Sequence, residues 1–373
     1  MPGNSVPLIT HIVRQFLPNR GGVEETVLHL SLGLVQLGWE VRIVTLNRLF
    51  RDLQTHLPAT ETVAGLPVTR IPFRGSTRYP IAPKVLSCLG ESDIVHVHAI
   101  DFFYDFLAWT KPFHGKKLVV TTHGGFFHTD FAARLKRVYF GTATRLSALA
   151  YERFIASSQN DAALFSRLTA RLVTIETGVS VDKFANCAAR DATRTMIYFG
   201  RLAKNKRLPT LLALLAELRK ISPDWSLIIA GTEFEETFAA LAECARSLGV
   251  DHAVQFSASP TDADLAALIG AASYFVSLSA YEGFGVSVVE AMSAGLVPIL
   301  SDIPTFREFI GRAGRGLLVD ALDLRAAAGA VAAFDAMRPT KFRDDFIAAA
   351  AKYSWSSMTK AYLTEYLGVL AGH

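Results

Sequence analysis

Residues 274–295 read YFVSLSAYEGFGVSVVEAMSAG. An apolar run over 274–279 gives way to a glycine-punctuated turn, then to helical spacing over 286–294. Two glutamates frame that transition: Glu282 in the turn, and Glu290 about one turn into the helix. Gly283 and Gly285 remove side chains where a helix begins, so free backbone amides can meet phosphate oxygens. A carboxylate at Glu282 would accept hydrogen bonds from sugar hydroxyls, and Glu290 could take a ribose diol. One glutamate before a helix is commonly a partner of the helix dipole. Two at this spacing, with glycines between, are less readily explained that way.

Working outward, the same strand-then-helix rhythm fills the chain. In the second half, strands are expected over 196–199, 226–230, 254–257, 274–279, 297–300 and 316–319. Helices are expected over 208–221, 236–248, 262–272 and 286–294. In the first half the apolar runs are 8–16, 41–46, 93–98, 118–122, 154–157 and 172–175, with helix-like stretches at 24–37 and 129–150. Several runs are rich in valine and isoleucine with little alternation, the pattern of parallel strands covered on both faces. Repeated strand and helix imply right-handed crossovers and open α/β sheets. The rhythm restarts after 181–194, a polar, poorly periodic segment read as a linker. The expected organisation is a domain over 1–185, a second over 186–355, and a C-terminal helix over 356–373 crossing back to the first.

Ligands of open α/β sheets bind at the carboxyl ends of strands. Three further strand-end loops draw attention. Asn19-Arg20-Gly21-Gly22-Val23-Glu24 opens the first helix, where Gly21 and Gly22 suit either an anion at a helix start or a plain tight turn. It is not the GxGxxG dinucleotide fingerprint. Gly200-Arg201-Leu202-Ala203-Lys204-Asn205-Lys206 offers an arginine fork and a lysine point charge, Arg201 and Lys206, suited to a diphosphate. Lys204 reads as solvated, and no P-loop is present. Thr121-Thr122-His123-Gly124-Gly125 points His123 toward a ligand, although a lone histidine is often a structural residue. Asp262-Ala263-Asp264 spells DxD, but helix capping explains it better. His96 and His98 face one side of a strand with no third ligand evident, so no metal site is expected.

The chain has 373 residues, enough for two domains, with 50% hydrophobic and 19% charged residues, a composition that builds cores. A net charge of +4 fits phosphate-bearing small molecules or an anionic membrane surface and is too weak to argue for nucleic acid. Cys88, Cys187 and Cys244 are too widely spaced for a disulfide framework. No signal peptide or spanning run is visible, so the expected location is cytoplasmic, peripheral on the inner face of the membrane. Phe126, Phe127, Phe131, Tyr139 and Phe140 alternate with Arg134, Lys136, Arg137, Arg145 and Arg153. That segment suits an anionic bilayer or packs its aromatics on its own sheet; both readings stay open.

Taken together these residues resemble the retaining glycosyltransferases of family four, which have the GT-B fold. EGFGVSVVEAMSAG matches the family's E-x7-E signature. GGVE, THGG and GRLAKNKR follow in the expected order, and the likeness covers essentially the whole chain. It implies two Rossmann-like domains whose parallel sheets face a deep interdomain cleft holding the donor. VRQFLPNRGGVEE, GSTRYPIAP, AIDFFYDFLAWTKPFHGK, TTHGGFFHT and AMSAGLVPILSDIP look most like the mannosyltransferases of bacterial exopolysaccharide assembly, of the xanthan and acetan type. That subgroup implies GDP-mannose as donor, a polyprenol-diphosphate-linked cellobiose as acceptor, and an α-1,3 bond.

By the same resemblance, Arg201 and Lys206 hold the diphosphate and stabilise the leaving group, and the Gly21–Gly22 loop closes on the phosphates. Glu282 binds donor sugar hydroxyls and Glu290 the ribose. Amides near Phe284, Gly285 and Val286 contact phosphate, and His123 lies by the reacting carbon or the acceptor. No cofactor and no essential metal are expected. Where the family often has Asn-Gly-Val-Asp, this chain has Thr177-Gly178-Val179-Ser180, which leaves the local hinge geometry open. A transferase using another donor such as UDP-glucose, a nucleotide-sugar epimerase, a phosphorylase, and a non-catalytic nucleotide-sugar binding protein are the competing readings.

Overall fold

The computed structural model describes residues 6–124 and 139–372. The chain forms two compact units, Met1–Gly178 with Trp355–His373, and Val179–Ser354.

The first unit is built on eight strands: β1 Leu8–Ile12, β2 Glu40–Leu46, β3 Thr60–Val63, β4 Leu66–Ile71, β5 Ile94–His98, β6 Lys117–Thr121, β7 Arg153–Ala156 and β8 Leu172–Thr174. Their order is β8-β7-β6-β5-β1-β2-β4-β3. Every pairing is parallel except the edge hairpin of β3 with β4. All five residues of β1 and of β5 are buried, their apolar positions interrupted by Thr10, His11, His96 and His98. Strand order reverses between β1 and β5, making a topological switch point at their carboxyl ends.

Helix α1, Gly22–Gln36, follows β1, and α2, Phe102–His114, follows β5. Asp101 caps α2 by accepting from the Phe103 amide at 2.9 Å. The C-terminal helix Trp355–Ala371 places Met358, Tyr362, Tyr366 and Val369 on one face, packed with Ile9, Leu30, Leu34 and Val119. Lys117 Nζ donates to the Val369 and Leu370 carbonyls, both at 2.9 Å, satisfying the helix end.

The second unit carries six parallel strands: β9 Thr195–Leu202, β10 Ser226–Glu233, β11 Val254–Ala258, β12 Tyr274–Ser277, β13 Val297–Ser301 and β14 Leu317–Val319. Their order is β11-β10-β9-β12-β13-β14, so the switch point lies between β9 and β12. Helix α3, Leu208–Ile221, follows β9, and α4, Val286–Ala294, follows β12.

Three differences from the sequence reading have physical causes. β3 escapes it because Thr60, Glu61 and Thr62 lack the valine–isoleucine signal, and β4 because Pro67, Thr69 and Arg70 interrupt its apolar residues. The segment 181–194 lies within the second unit, with Phe184 buried in its core. There Asn186 and Ala188 amides donate to the Ser293 and Ala294 carbonyls at 3.0 and 2.9 Å. Of the helix expected over 129–150, residues before 139 lie outside the described residues, and so do Gly125, Phe126, Phe127, Phe131, Arg134, Lys136 and Arg137. The remainder forms a π-helical turn, Phe140–Thr144, and a short helix, Arg145–Ala148. Among the described residues no helix is long and apolar enough to cross a membrane.

Candidate active site

In the second unit the end of β9 and the loop after β12 meet at the switch point. Gly200 and Gly231 stand in register on β9 and β10, and a Cβ on Gly231 would lie 1.8 Å from the Gly200 carbonyl oxygen. That approach requires glycine, and it leads β9 into a tight turn at 204–206. The turn docks on the opposite loop: the Ala280 amide donates to the Asn205 carbonyl at 2.8 Å, and Asn205 Nδ2 to the Tyr281 carbonyl at 3.0 Å. Lys206 Nζ thereby reaches Glu282 Oε1 at 2.5 Å. Ser279 Oγ donates to the same oxygen at 2.8 Å, and Thr305 Oγ1 holds the Glu282 carbonyl at 3.0 Å.

Arg201 takes a different place. It is exposed, with its guanidinium 5.3 Å from the centroid of the Phe234 ring, and it has no carboxylate partner among the described residues. Tyr198 OH donates to the Arg201 carbonyl at 2.9 Å. Burial, then the Glu282 and Glu236 charges, push that phenol above its ordinary range.

The loop before α4 is anchored by Phe284, which packs edge-on against Phe309 and Tyr353. Gly285 adopts φ +91° and caps the helix without a side-chain hydrogen bond, and no acidic residue occupies the first turn. The amides starting at Val286 therefore keep their capacity for an anion. Glu290 is half-buried, and its carboxylate has no hydrogen-bond partner among the described residues. Burial raises its pKa, Lys183 opposes that, and Asp262 adds to it. Asp262 pairs with Lys183 at 2.7 Å, while Asp264 completes a capping box with Thr261, so the DxD triplet is occupied in protein contacts.

In the first unit, Gly21 and Gly22 are exposed and begin α1. Glu24 folds back over Gly21, with Asn19 Nδ2 donating to Glu24 Oε1 at 2.7 Å. Two carboxylates, Glu24 and Glu25, thus occupy the first turn, which weakens this helix start as an anion site relative to α4. His123 follows β6 with φ +51°, a left-handed conformation uncommon for a residue with a Cβ. Asp161 supports that turn, accepting from Thr122 Oγ1 at 2.6 Å, the Gly124 amide at 2.8 Å and Ser157 Oγ at 3.0 Å.

The histidine constellation is larger than the sequence suggested. His11, on β1, joins His96 and His98, and their ring nitrogens lie within 4.8 Å of one another. Five of their six ring nitrogens are already engaged; His11 Nε2 has no partner among the described residues. His96 bridges Tyr366 OH at 2.6 Å and Thr121 Oγ1 at 2.8 Å, tying β5 to the C-terminal helix. His98 bridges His11 at 2.9 Å and His123 at 2.8 Å. Residue 11 is far from 98 in sequence; only the pairing of β1 with β5 brings them together. Ser279 and Asn205, which hold Glu282 and the Lys206 turn, were likewise invisible without the register of β9 against β12.

Two family models divide the chain: Glycosyltransferase Family 4 matches residues 20–183, and Glycosyl transferases group 1 matches residues 182–353. A GDP-mannose:cellobiosyl-diphosphopolyprenol alpha-mannosyltransferase from Xanthomonas campestris is 47% identical over 368 residues, 97% of each chain. Its namesake from Komagataeibacter xylinus is 42% identical, over 99% of this chain and 95% of its own. Among solved structures, HepE of Anabaena in complex with UDP gives a TM-score of 0.72 at 18% identity, covering 97% of this chain and 100% of that one. A glycosyltransferase from Rickettsia africae gives 0.71 at 17% identity, covering 98% and 99%. Likeness at such identity speaks for the fold. With two parallel-sheet Rossmann-like units and relatives this close over nearly its full length, the chain belongs to the family-four glycosyltransferases of GT-B fold.

Proposed function

We propose that this glycosyltransferase moves mannose from GDP-mannose to a cellobiosyl-diphosphopolyprenol, forming an α-1,3 bond with retention of configuration, in exopolysaccharide assembly. The observation that carries the reading is 47% identity over 97% of both chains to a relative bearing that donor and acceptor in its name.

The bond from the anomeric carbon to the leaving phosphate oxygen breaks, and a bond from the acceptor hydroxyl oxygen forms on the same face. The hydroxyl proton passes to a phosphate oxygen of the departing GDP. Negative charge grows on that diphosphate, so catalysis calls for fixed positive charge and donors aimed at it. Lys206 spends one N–H on Glu282 and keeps two for phosphate. Arg201 adds a guanidinium with no carboxylate partner among the described residues, and the amides starting α4 add a helix N-terminus. Glu282, steadied by Lys206 and Ser279, accepts from sugar hydroxyls, and Glu290 accepts from the ribose diol. No resident cofactor enters this reading.

The lipid-borne acceptor calls for contact with a bilayer. In the first unit Trp109, Phe113, Leu146 and Leu149 are 56, 88, 64 and 70% exposed. Lys111 Nζ donates to the Ala150 carbonyl, joining the end of α2 to the segment just after the short helix, next to Leu149. Aromatic and aliphatic side chains near Arg145 suit an anionic surface, peripheral and on the cytoplasmic face. Flotation with phosphatidylglycerol vesicles tests this: binding weakens with salt and in Trp109→Ser, and no binding removes the proposal.

The transfer reading is tested by supplying radiolabelled GDP-mannose, UDP-glucose and GDP-glucose in turn with the cellobiosyl lipid. Label from GDP-mannose enters the lipid phase. Preferential uptake from UDP-glucose, or donor loss without acceptor, refutes it.

A further inference from the structure

At the switch point of the first unit three imidazoles stand in line. His11 is fully buried on β1, His98 is buried on β5, and His123 follows β6, half-buried. His11 Nδ1 lies 2.9 Å from His98 Nε2, and His98 Nδ1 lies 2.8 Å from His123 Nε2. At the inner end His11 Nε2 is buried with no partner among the described residues. At the outer end His123 Nδ1 has no hydrogen bond among the described residues.

Burial holds His11 near pKa 3, His123 near 4, and His98 well below its ordinary value; Asp161, beside His123, pulls the other way too weakly to reverse this. Each ring is therefore neutral near pH 7 and carries one proton. Only two proton arrangements complete both bonds. In one, His11 donates to His98 and His98 donates to His123, leaving a bare lone pair at His11 Nε2. In the other every proton is reversed, and His11 must bury an N–H with no acceptor. Orphaned buried N–H groups are the rarer kind. The first arrangement prevails, and it puts the proton of His123 on Nδ1.

We propose that His11 and His98 are positioning residues that hold His123 as its Nδ1–H tautomer, so that His123 meets the substrate as a hydrogen-bond donor and not as a base. Its left-handed backbone, φ +51°, is the strained geometry that recurs at functional sites. The consequence for catalysis rests on the glycosyl-transfer reading, because the acceptor proton must then leave by another route; the tautomer itself does not depend on that reading.

The test uses the full-length protein labelled with 15N-histidine, with long-range 1H–15N correlation near neutral pH. His123 is assigned by the signals lost in His123→Asn. The expected spectrum shows Nδ1 protonated and Nε2 accepting, with no substrate present. A protonated Nε2, a doubly protonated ring, or one equivalent of bound zinc with metal-shifted nitrogens overturns the proposal. In parallel, His98→Leu lowers kcat on the order of 10- to 100-fold with KM nearly unchanged, the scale on which outer partners of a functional imidazole act. His98→Gln, whose amide can donate to His123 and accept from His11, recovers most of that loss. Equal loss in both variants overturns the positioning role. If the leucine variant fails to fold, the wild-type spectrum decides. If no donor yields product, the spectrum still stands on its own.

Discussion

Lys206 and Glu282, 76 positions apart, share a hydrogen-bonded ion pair of 2.5 Å with side chains only 17% and 10% exposed. The pair converts a flexible lysine into a charge held at one point, and the same lysine orients the carboxylate that we assign to the sugar. Lys206→Ala therefore removes positive charge from the leaving group and unseats Glu282 together. The expected loss in kcat/KM is on the order of 100-fold or more. Steady-state kinetics with GDP-mannose check it, and a rate within about threefold of wild type would take Lys206 out of the leaving-group site.

Glu290 is half-buried, desolvated and without a hydrogen-bond partner among the described residues. Such a carboxylate is free to accept from a ligand's hydroxyls. Glu290→Gln is expected to weaken GDP binding by about 1.5–3 kcal/mol, with thermal stability unchanged or slightly raised. Isothermal titration with GDP reads the first and differential scanning fluorimetry the second; unchanged affinity would remove Glu290 from the nucleotide site.

Gly231 has no room for a methyl group: its Cβ would fall 1.8 Å from backbone that β9 cannot move without losing the Lys206 turn. Gly231→Ala is expected to destabilise the second unit by about 3 kcal/mol or more. Urea unfolding measures it, and a wild-type midpoint would show that the two strands do not approach as described.

The histidine cluster makes stability fall with acid. His11, His96, His98 and His123 all bind protons less readily folded than unfolded, His11 near 3 and His123 near 4 against 6.5. Below about pH 6.5 the unfolded chain takes up more protons, so their contribution is present above 6.5 and lost as pH falls toward the folded values. Asp101 and Asp105, raised by burial to about 6, act oppositely: their contribution is full below 3.8 and lost as pH rises through 6. Four histidines outweigh two aspartates between pH 6.5 and 4.5. His11→Phe should flatten the slope of unfolding free energy by about 1.4 kcal/mol per pH unit in that window. An unchanged slope in denaturant titrations would contradict a neutral, buried His11.

What could be read from the sequence follows from how each signal is encoded. β5, β12 and β13 are buried throughout, so runs dominated by apolar and aromatic residues announced them. Strand β3 sits at the sheet edge, where Thr60, Glu61 and Thr62 resemble loop residues, and in β4 Pro67, Thr69 and Arg70 break the apolar pattern. Phe184 and its neighbours looked like a linker because their partners, Ser293 and Ala294, are distant in sequence and reached through backbone bonds that leave no pattern. In the same way Lys206 and Glu282 could each be named from loop chemistry, but not their bond to one another. His11 could not be singled out at all, since its role depends on β1 lying beside β5.

The central claim is mannosyl transfer to a lipid-linked cellobiose, with retention. Its most direct test is NMR of the trisaccharide released from lipid after reaction with 13C-mannose-labelled GDP-mannose. An α-configured mannose with its C1 correlated to C3 of the outer glucose is the predicted result. A β-mannoside, a bond to another carbon, or no labelled trisaccharide would contradict the account.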